Sequence, residues 1–163
     1  MITTTRSNIE IPDPPSGRVR VRVVAVGLNP ADWELCRGFM PGTLPRGIGY
    51  DVAGIVDAIG GDVGQEADTG RETVSVGDVV FGTADFVGQP SAGAADVAIL
   101  NNWLRVPAGL DPVQAATLPM VVQTAAWTLE LIDLAQAPCS SSTAPAAWSG
   151  TPPCRSRYVA VRA

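Results

Sequence analysis

Apolar and polar positions alternate from Arg18 to Val23 as RVRVRV, which puts Val19, Val21 and Val23 on one face of a strand and Arg18, Arg20 and Arg22 on the other. The three arginines suit either an anion site or the solvated face of a half-exposed strand, and the alternation favours the solvated face. A second strand follows from GIGYDVAGIVDAIG, Gly47 to Gly60, where glycines flank a Tyr-Asp pair and an apolar run from Val52 to Ile59 is broken only by Asp57. That pattern is a tight backbone passage leading into a buried strand. DVVFG (Asp78 to Gly82), AADVAIL (Ala94 to Leu100) and WLRVP (Trp103 to Pro107) predict three more strands. Short strands between glycine-rich turns predict a barrel or sandwich.

Breakers and caps place the rest. PDPPSG, ending at Gly17, is a loop because its prolines exclude a helix. Asn29 and Pro30 stop the first strand, and ADWELCR has the length of a short helix closed by Gly38. Phe39 to Gly47, with two prolines and two glycines, is loop. Gly60 to Asp78 is polar, acidic and glycine-rich, an exposed loop or hairpin extension whose carboxylates lack the ligand spacing of a calcium loop. In GLDPVQAATLP, Asp111 is a good N-cap, Pro112 fits the first helical position and Gln114 stands at the capping-box position. Pro119 ends that short helix, and Val121 to Ala135 form a longer one. Thr124 lies near its start, placed either to face a ligand or to cap a turn. The fold class expected is therefore mainly β with C-terminal helices.

Composition narrows the chemistry. The chain has 163 residues, 46% hydrophobic and 17% charged, enough for one buried core. Histidine is absent, which excludes a His-based triad, a His general base and a mixed Cys/His zinc site. Three cysteines, Cys36, Cys139 and Cys154, form no CxxC and no disulfide framework. A net charge of −5 argues against a nucleic-acid surface. The polar start MITTTRSNIE has neither a basic n-region nor an apolar h-region, and no run is long enough to span a bilayer. A cytoplasmic protein is expected.

Taken in order, GLNPADW, GIGYDVAGIV, VGDVVFG and LPMVVQTAAWTL resemble the catalytic domain of the medium-chain dehydrogenase/reductase superfamily, nearest its zinc-independent quinone reductases and enoyl reductases. The resemblance covers Asn8 to about Leu134 and implies a GroES-like β-barrel over residues 1–134. It further implies an oxidoreductase that passes hydride from NADPH or NADH to a quinone or an α,β-unsaturated carbonyl. In zinc-dependent members a Cys stands at the position of Asn29, and Gly-His-Glu at Gly49, Tyr50 and Asp51. An amide and a phenol do not hold zinc in those roles, so no metal is expected. By the same matching, Asn29 and Thr124 lie near the nicotinamide, and Trp33, Met40 and Tyr50 line the substrate cleft. Trp33 and Met40 also suit core or loop packing, and Asn29 also suits its turn.

A member of this superfamily continues into a Rossmann domain through a strand and a glycine-rich turn. After Leu134 this chain is rich in Ser and Pro, with no acidic residue and no GxGxxG. Residues 135–163 are expected to be an aberrant tail, either a frameshifted reading of the cofactor domain or a disordered extension. Read one base out of register, the codons from Ala135 onward permit an apolar strand and a glycine-rich turn, and Ala144, Ala146, Ala147 and Gly150 supply the G-initial codons that the turn needs. Such a chain is expected to bind nucleotide weakly, to turn over little alone, and to self-associate through a bared domain interface. The alternative is a GroES-like module with no enzymatic role.

Overall fold

A computed structural model describes residues 8–38, 46–63, 73–85, 87 and 92–131. The chain divides into two compact units, 1–122 and 123–163. The expected loop at Phe39 to Gly47, apart from its last two residues, much of the acidic stretch after Gly60, and the tail from Ala135 lie outside the described residues.

The first unit is built on four strands, β1 (Val19–Gly27), β2 (Asp51–Ile59), β3 (Val79–Ala84) and β4 (Val97–Arg105). β1 pairs with β2, β2 with β3, β3 with β4 and β4 with β1, all antiparallel, so the sheet closes into a barrel. Closure removes the unpaired edges that a small sheet would otherwise expose. Val19 and Val21 of the alternating stretch point inward and are fully buried, and Val23 packs partly buried beside them. They meet Val52, Val56, Val80, Ala98, Leu100 and Trp103 in one core.

The outward arginines do not form an anion site. Arg18 Nε lies 3.3 Å from Asp85 Oδ2, and Arg20 Nε lies 3.0 Å from Asp57 Oδ1. Arg22 is exposed. The one interruption in the apolar run of β2, Asp57, is thus the partner of an arginine on β1. Pairs at this exposure contribute about 0–1 kcal/mol each, so they hold register more than they hold the fold.

Two glycines are set by close backbone approach. A methyl on Gly54 of β2 would lie 2.6 Å from Arg22 O, and one on Gly82 of β3 would lie 1.9 Å from Asn102 O. Both sit where strands press together in a narrow barrel.

The third and fourth apolar stretches correct the sequence reading. Ala94 to Leu100 and Trp103 to Pro107 are not two strands; β4 runs unbroken through Asn101 and Asn102. Asparagine disfavours strands, but here the register shifts between Thr83 and Ala84, which pair with Asn102 and Leu100 and leave Asn101 as the extra residue of a bulge. Its side chain is used: Thr83 Oγ1 donates to Asn101 Oδ1 at 2.5 Å.

Helix α1 (Pro30–Cys36) starts after Asn29 and ends at Gly38, whose φ of +87° suits the left-handed C-terminal cap. In α2 (Pro112–Ala115), Asp111 accepts from Val113 N at 2.7 Å, as the cap pattern predicted. Pro119 both closes that turn and opens α3 (Pro119–Leu131). None of the α3 residues is buried, although Val121, Val122, Trp127 and Leu131 are apolar and exposed. No described helix is long and apolar enough to cross a membrane.

Candidate functional site

The site grows from one buried carboxylate. Asp32 stands three residues after the helix cap and reaches back, its Oδ2 accepting from Asn29 N at 2.8 Å. Its other oxygen accepts from Gly49 N at 2.8 Å and Tyr50 N at 3.1 Å. Asp32 therefore fastens the start of α1 to the glycine passage that leads into β2. Gly49 has φ +93°, a conformation that frees its N–H to turn toward Asp32, and a methyl there would lie 2.5 Å from Val26 Cγ2.

A second buried carboxylate continues the line. Asn29 Nδ2 donates to Asp51 Oδ2 at 3.0 Å. Asp51 is 1% exposed and also accepts from Met120 N, at 3.1 Å to Oδ1 and 3.2 Å to Oδ2. A carboxylate at the first turn of α3 satisfies an N–H left over by the helix and faces the positive end of its dipole. Burial pushes the Asp51 carboxyl above the ordinary aspartate value. The bonds from Asn29 and Met120 oppose that rise, and the charge of Asp32 adds to it.

Tyr50 sits between these groups and β3. Its phenol is hydrogen-bonded to the Thr83 side chain. Burial raises its pKa above the ordinary tyrosine value, Thr83 opposes the rise, and the Asp51 charge adds to it. The first unit thus brings together Asn29 and Tyr50 through Asp32 and Asp51. The next residue of α1 after Asp32, Trp33, is 66% exposed and so is not a core residue. Met40 lies outside the described residues. Thr124 belongs to the second unit, where it is exposed and its carbonyl accepts from Thr128 Oγ1 at 2.8 Å.

Four participants escaped the sequence reading: Asp32, Asp51, Thr83 and Asn101. Asp32 carried a readable signal, an Asn-x-x-Asp spacing at a helix start that approximates a capping box. Asp51 meets Asn29 only in the folded barrel, and Thr83 and Asn101 are joined only by the pairing of β3 with β4. Among the described residues, no group of three or more His, Cys, Asp or Glu side chains is placed to hold a metal ion.

Residues 15–107 match the alcohol dehydrogenase GroES-like domain family. The chain is 34% identical over 125 residues to lovC of Aspergillus terreus, the enoyl reductase component of lovastatin nonaketide synthase, covering 74% of this chain and 32% of that protein. It is 33% identical over 128 residues to the chloroplastic NADPH-dependent alkenal/one oxidoreductase of Arabidopsis thaliana, covering 73% and 31%. The solved quinone oxidoreductase of Coxiella burnetii matches with a TM-score of 0.63 at 28% identity, over 77% of this chain and 39% of that one. The chain spans about a third of the length of these curated relatives.

Proposed function

This chain belongs to the alcohol dehydrogenase GroES-like domain family of the medium-chain dehydrogenase/reductase superfamily, and from that premise we propose that it forms the substrate side of a zinc-independent, NADPH-dependent reductase. The substrate class is an electron-poor double bond or a quinone. The relatives carry the oxidoreductase part of this reading, being enoyl, alkenal/one and quinone reductases by name.

The observation that carries the metal-free part is the Asn29–Asp51 hydrogen bond of 3.0 Å. The resemblance sets Asn29 where zinc-dependent members have a cysteine ligand, and Tyr50 where they have histidine. Here the amide is spent on a buried carboxylate and the phenol on Thr83. A hydrogen-bonded amide fixed in this way is a positioning group, not a ligand.

The polar groups assigned to the cofactor, the Asn29 amide and the Thr124 hydroxyl, are uncharged. Their chemistry fits the nicotinamide end of the nucleotide, whose carboxamide and ribose offer neutral donors and acceptors. When bound, the dihydronicotinamide supplies hydride, and the residues of this chain contribute orientation. Asp51 holds the Asn29 amide in one orientation, and Asp32 holds the backbone on which both Asn29 and Tyr50 are mounted.

The test is loss of absorbance at 340 nm when NADPH is mixed with the chain and either a quinone or an alkenal, with and without a strong chelator. Only a slow protein-dependent oxidation is expected, in keeping with weak nucleotide binding by this chain, and the chelator should leave it unchanged. Chelator-sensitive oxidation would remove the zinc-free assignment, and no oxidation with any acceptor would favour a GroES-like module without enzymatic role.

A further inference from the structure

Two helices border the passage from Gly49 to Asp51, and neither is fastened by apolar burial. The one buried side chain of α1 is a carboxylate, Asp32, and α3 buries none. The barrel core draws its buried side chains from the strands and from Val74 and Ala92 in the loops between them. The short α2 differs, because Ala115 and Ala116 are buried and a methyl on Gly27 of β1 would lie 2.2 Å from Ala116 O.

What holds α1 and the first turn of α3 is polar and shared. Asp32 accepts from the N–H groups of Asn29, Gly49 and Tyr50, and Asp51 accepts from the Asn29 amide and from Met120 N. Asn29 is bonded to both carboxylates, by its backbone N–H to one and by its side chain to the other. If α1 swings away, Gly49 and Tyr50 lose their acceptor and Asp51 loses the amide. A buried carboxylate deprived of a donor is driven toward water, and Asp51 cannot reach water while it keeps Met120 N. The bonds therefore break together.

We propose that α1 and the first turn of α3 form one rim that opens as a unit while the barrel stays closed, with Asp51 the latch common to both. Both ends of the latch lie in the first unit. Asn29 and Trp33 travel with this rim, so a pull on the Asn29 amide is felt at Met120. The latch stands on the hydrogen bonds alone and holds whether or not the chain is a reductase. Opening it wets charged and backbone groups but little apolar surface, so it responds weakly to urea, whereas opening the barrel responds steeply.

The test is amide hydrogen exchange of the full chain, followed residue by residue by NMR over a series of low urea concentrations and corrected for intrinsic rates. The N–H groups of Asn29, Gly49, Tyr50 and Met120 report the rim. Val56 N, which donates to Asp78 O at 2.9 Å, reports the barrel. The four rim amides are expected to share one opening constant that hardly changes with urea, and Val56 to exchange more slowly with a steep urea dependence. D51N should speed exchange at Asn29 and Gly49, whose N–H groups Asp51 does not touch, by at least about tenfold. D32N should do the same at Met120, which Asp32 does not touch, and Val56 should change less in both variants. Rim amides that follow the urea dependence of Val56, or that open with separate constants, overturn the proposal. So does a D51N effect confined to Met120, or a D32N effect that does not reach it. If either variant does not fold, the urea series on the unaltered chain decides alone.

Discussion

Asn29 and Asp51 meet side chain to side chain, Nδ2 to Oδ2 at 3.0 Å, across a separation of 22 residues. One is the cap of α1 and the other the first residue of β2, and the same carboxylate reaches Met120 at the start of α3. Three elements of the first unit converge on one buried aspartate.

Removing the amide leaves that aspartate short of a donor. N29A should cost about 1–3 kcal/mol of stability, the usual penalty for orphaning a buried polar group. N29D should cost more than N29A at neutral pH, because it sets a second carboxylate against Asp51. Urea unfolding of both variants checks the order, and equal stabilities would contradict the bond as described.

Asp51 gives stability a defined pH dependence. Its folded pKa is raised above the ordinary aspartate value, so the folded chain holds this proton more tightly than the unfolded chain does. The contribution of the group is therefore complete below the unfolded value and is lost as pH rises through the raised folded value. The stability of the unaltered chain relative to D51N should fall as pH rises across that window. Urea midpoints of the two proteins over a pH series measure it, and a constant difference would refute the direction.

Glycine replacements separate crowding from backbone strain. G82A drives a methyl to within 1.9 Å of Asn102 O and should cost about 3 kcal/mol or more, with strand separation as the only relief. G77A meets open space but holds φ at +98°, so it should cost only about 1–2 kcal/mol. Thermal melts of the two variants should rank in that order.

Exposed apolar side chains occur on both units: Leu28, Trp33 and Val121 in the first, Trp127 and Leu131 in the second. We expect concentration-dependent self-association, read as a rising apparent mass by light scattering and reduced by W127S. A monomer at all accessible concentrations would count against it.

Much of the barrel was legible because its causes are local. The alternation at Arg18 to Val23 needs only the two-residue period of a strand, and Asp111 with Pro112 needs only the geometry of a helix start. Asn101 and Asn102 were misread for the opposite reason. Their place in β4 depends on Thr83, a residue on another strand, whose hydroxyl and register accommodate what strand propensity rejects. Asp32 was overlooked because a carboxylate in a short helix reads as surface, whereas here it is buried on the backbone N–H groups of Gly49 and Tyr50.

By itself the sequence determined the strand and helix segments, the exclusion of histidine chemistry and, through four ordered motifs, the family. Those depend on residue identity and short-range spacing. Tertiary structure alone decided that Asn29 is held by Asp51, that Thr83 donates to Asn101, and that two of the three arginines are neutralised by aspartates. Each of these is a contact between segments distant in the chain, and only closure of the barrel brings the partners within hydrogen-bonding distance.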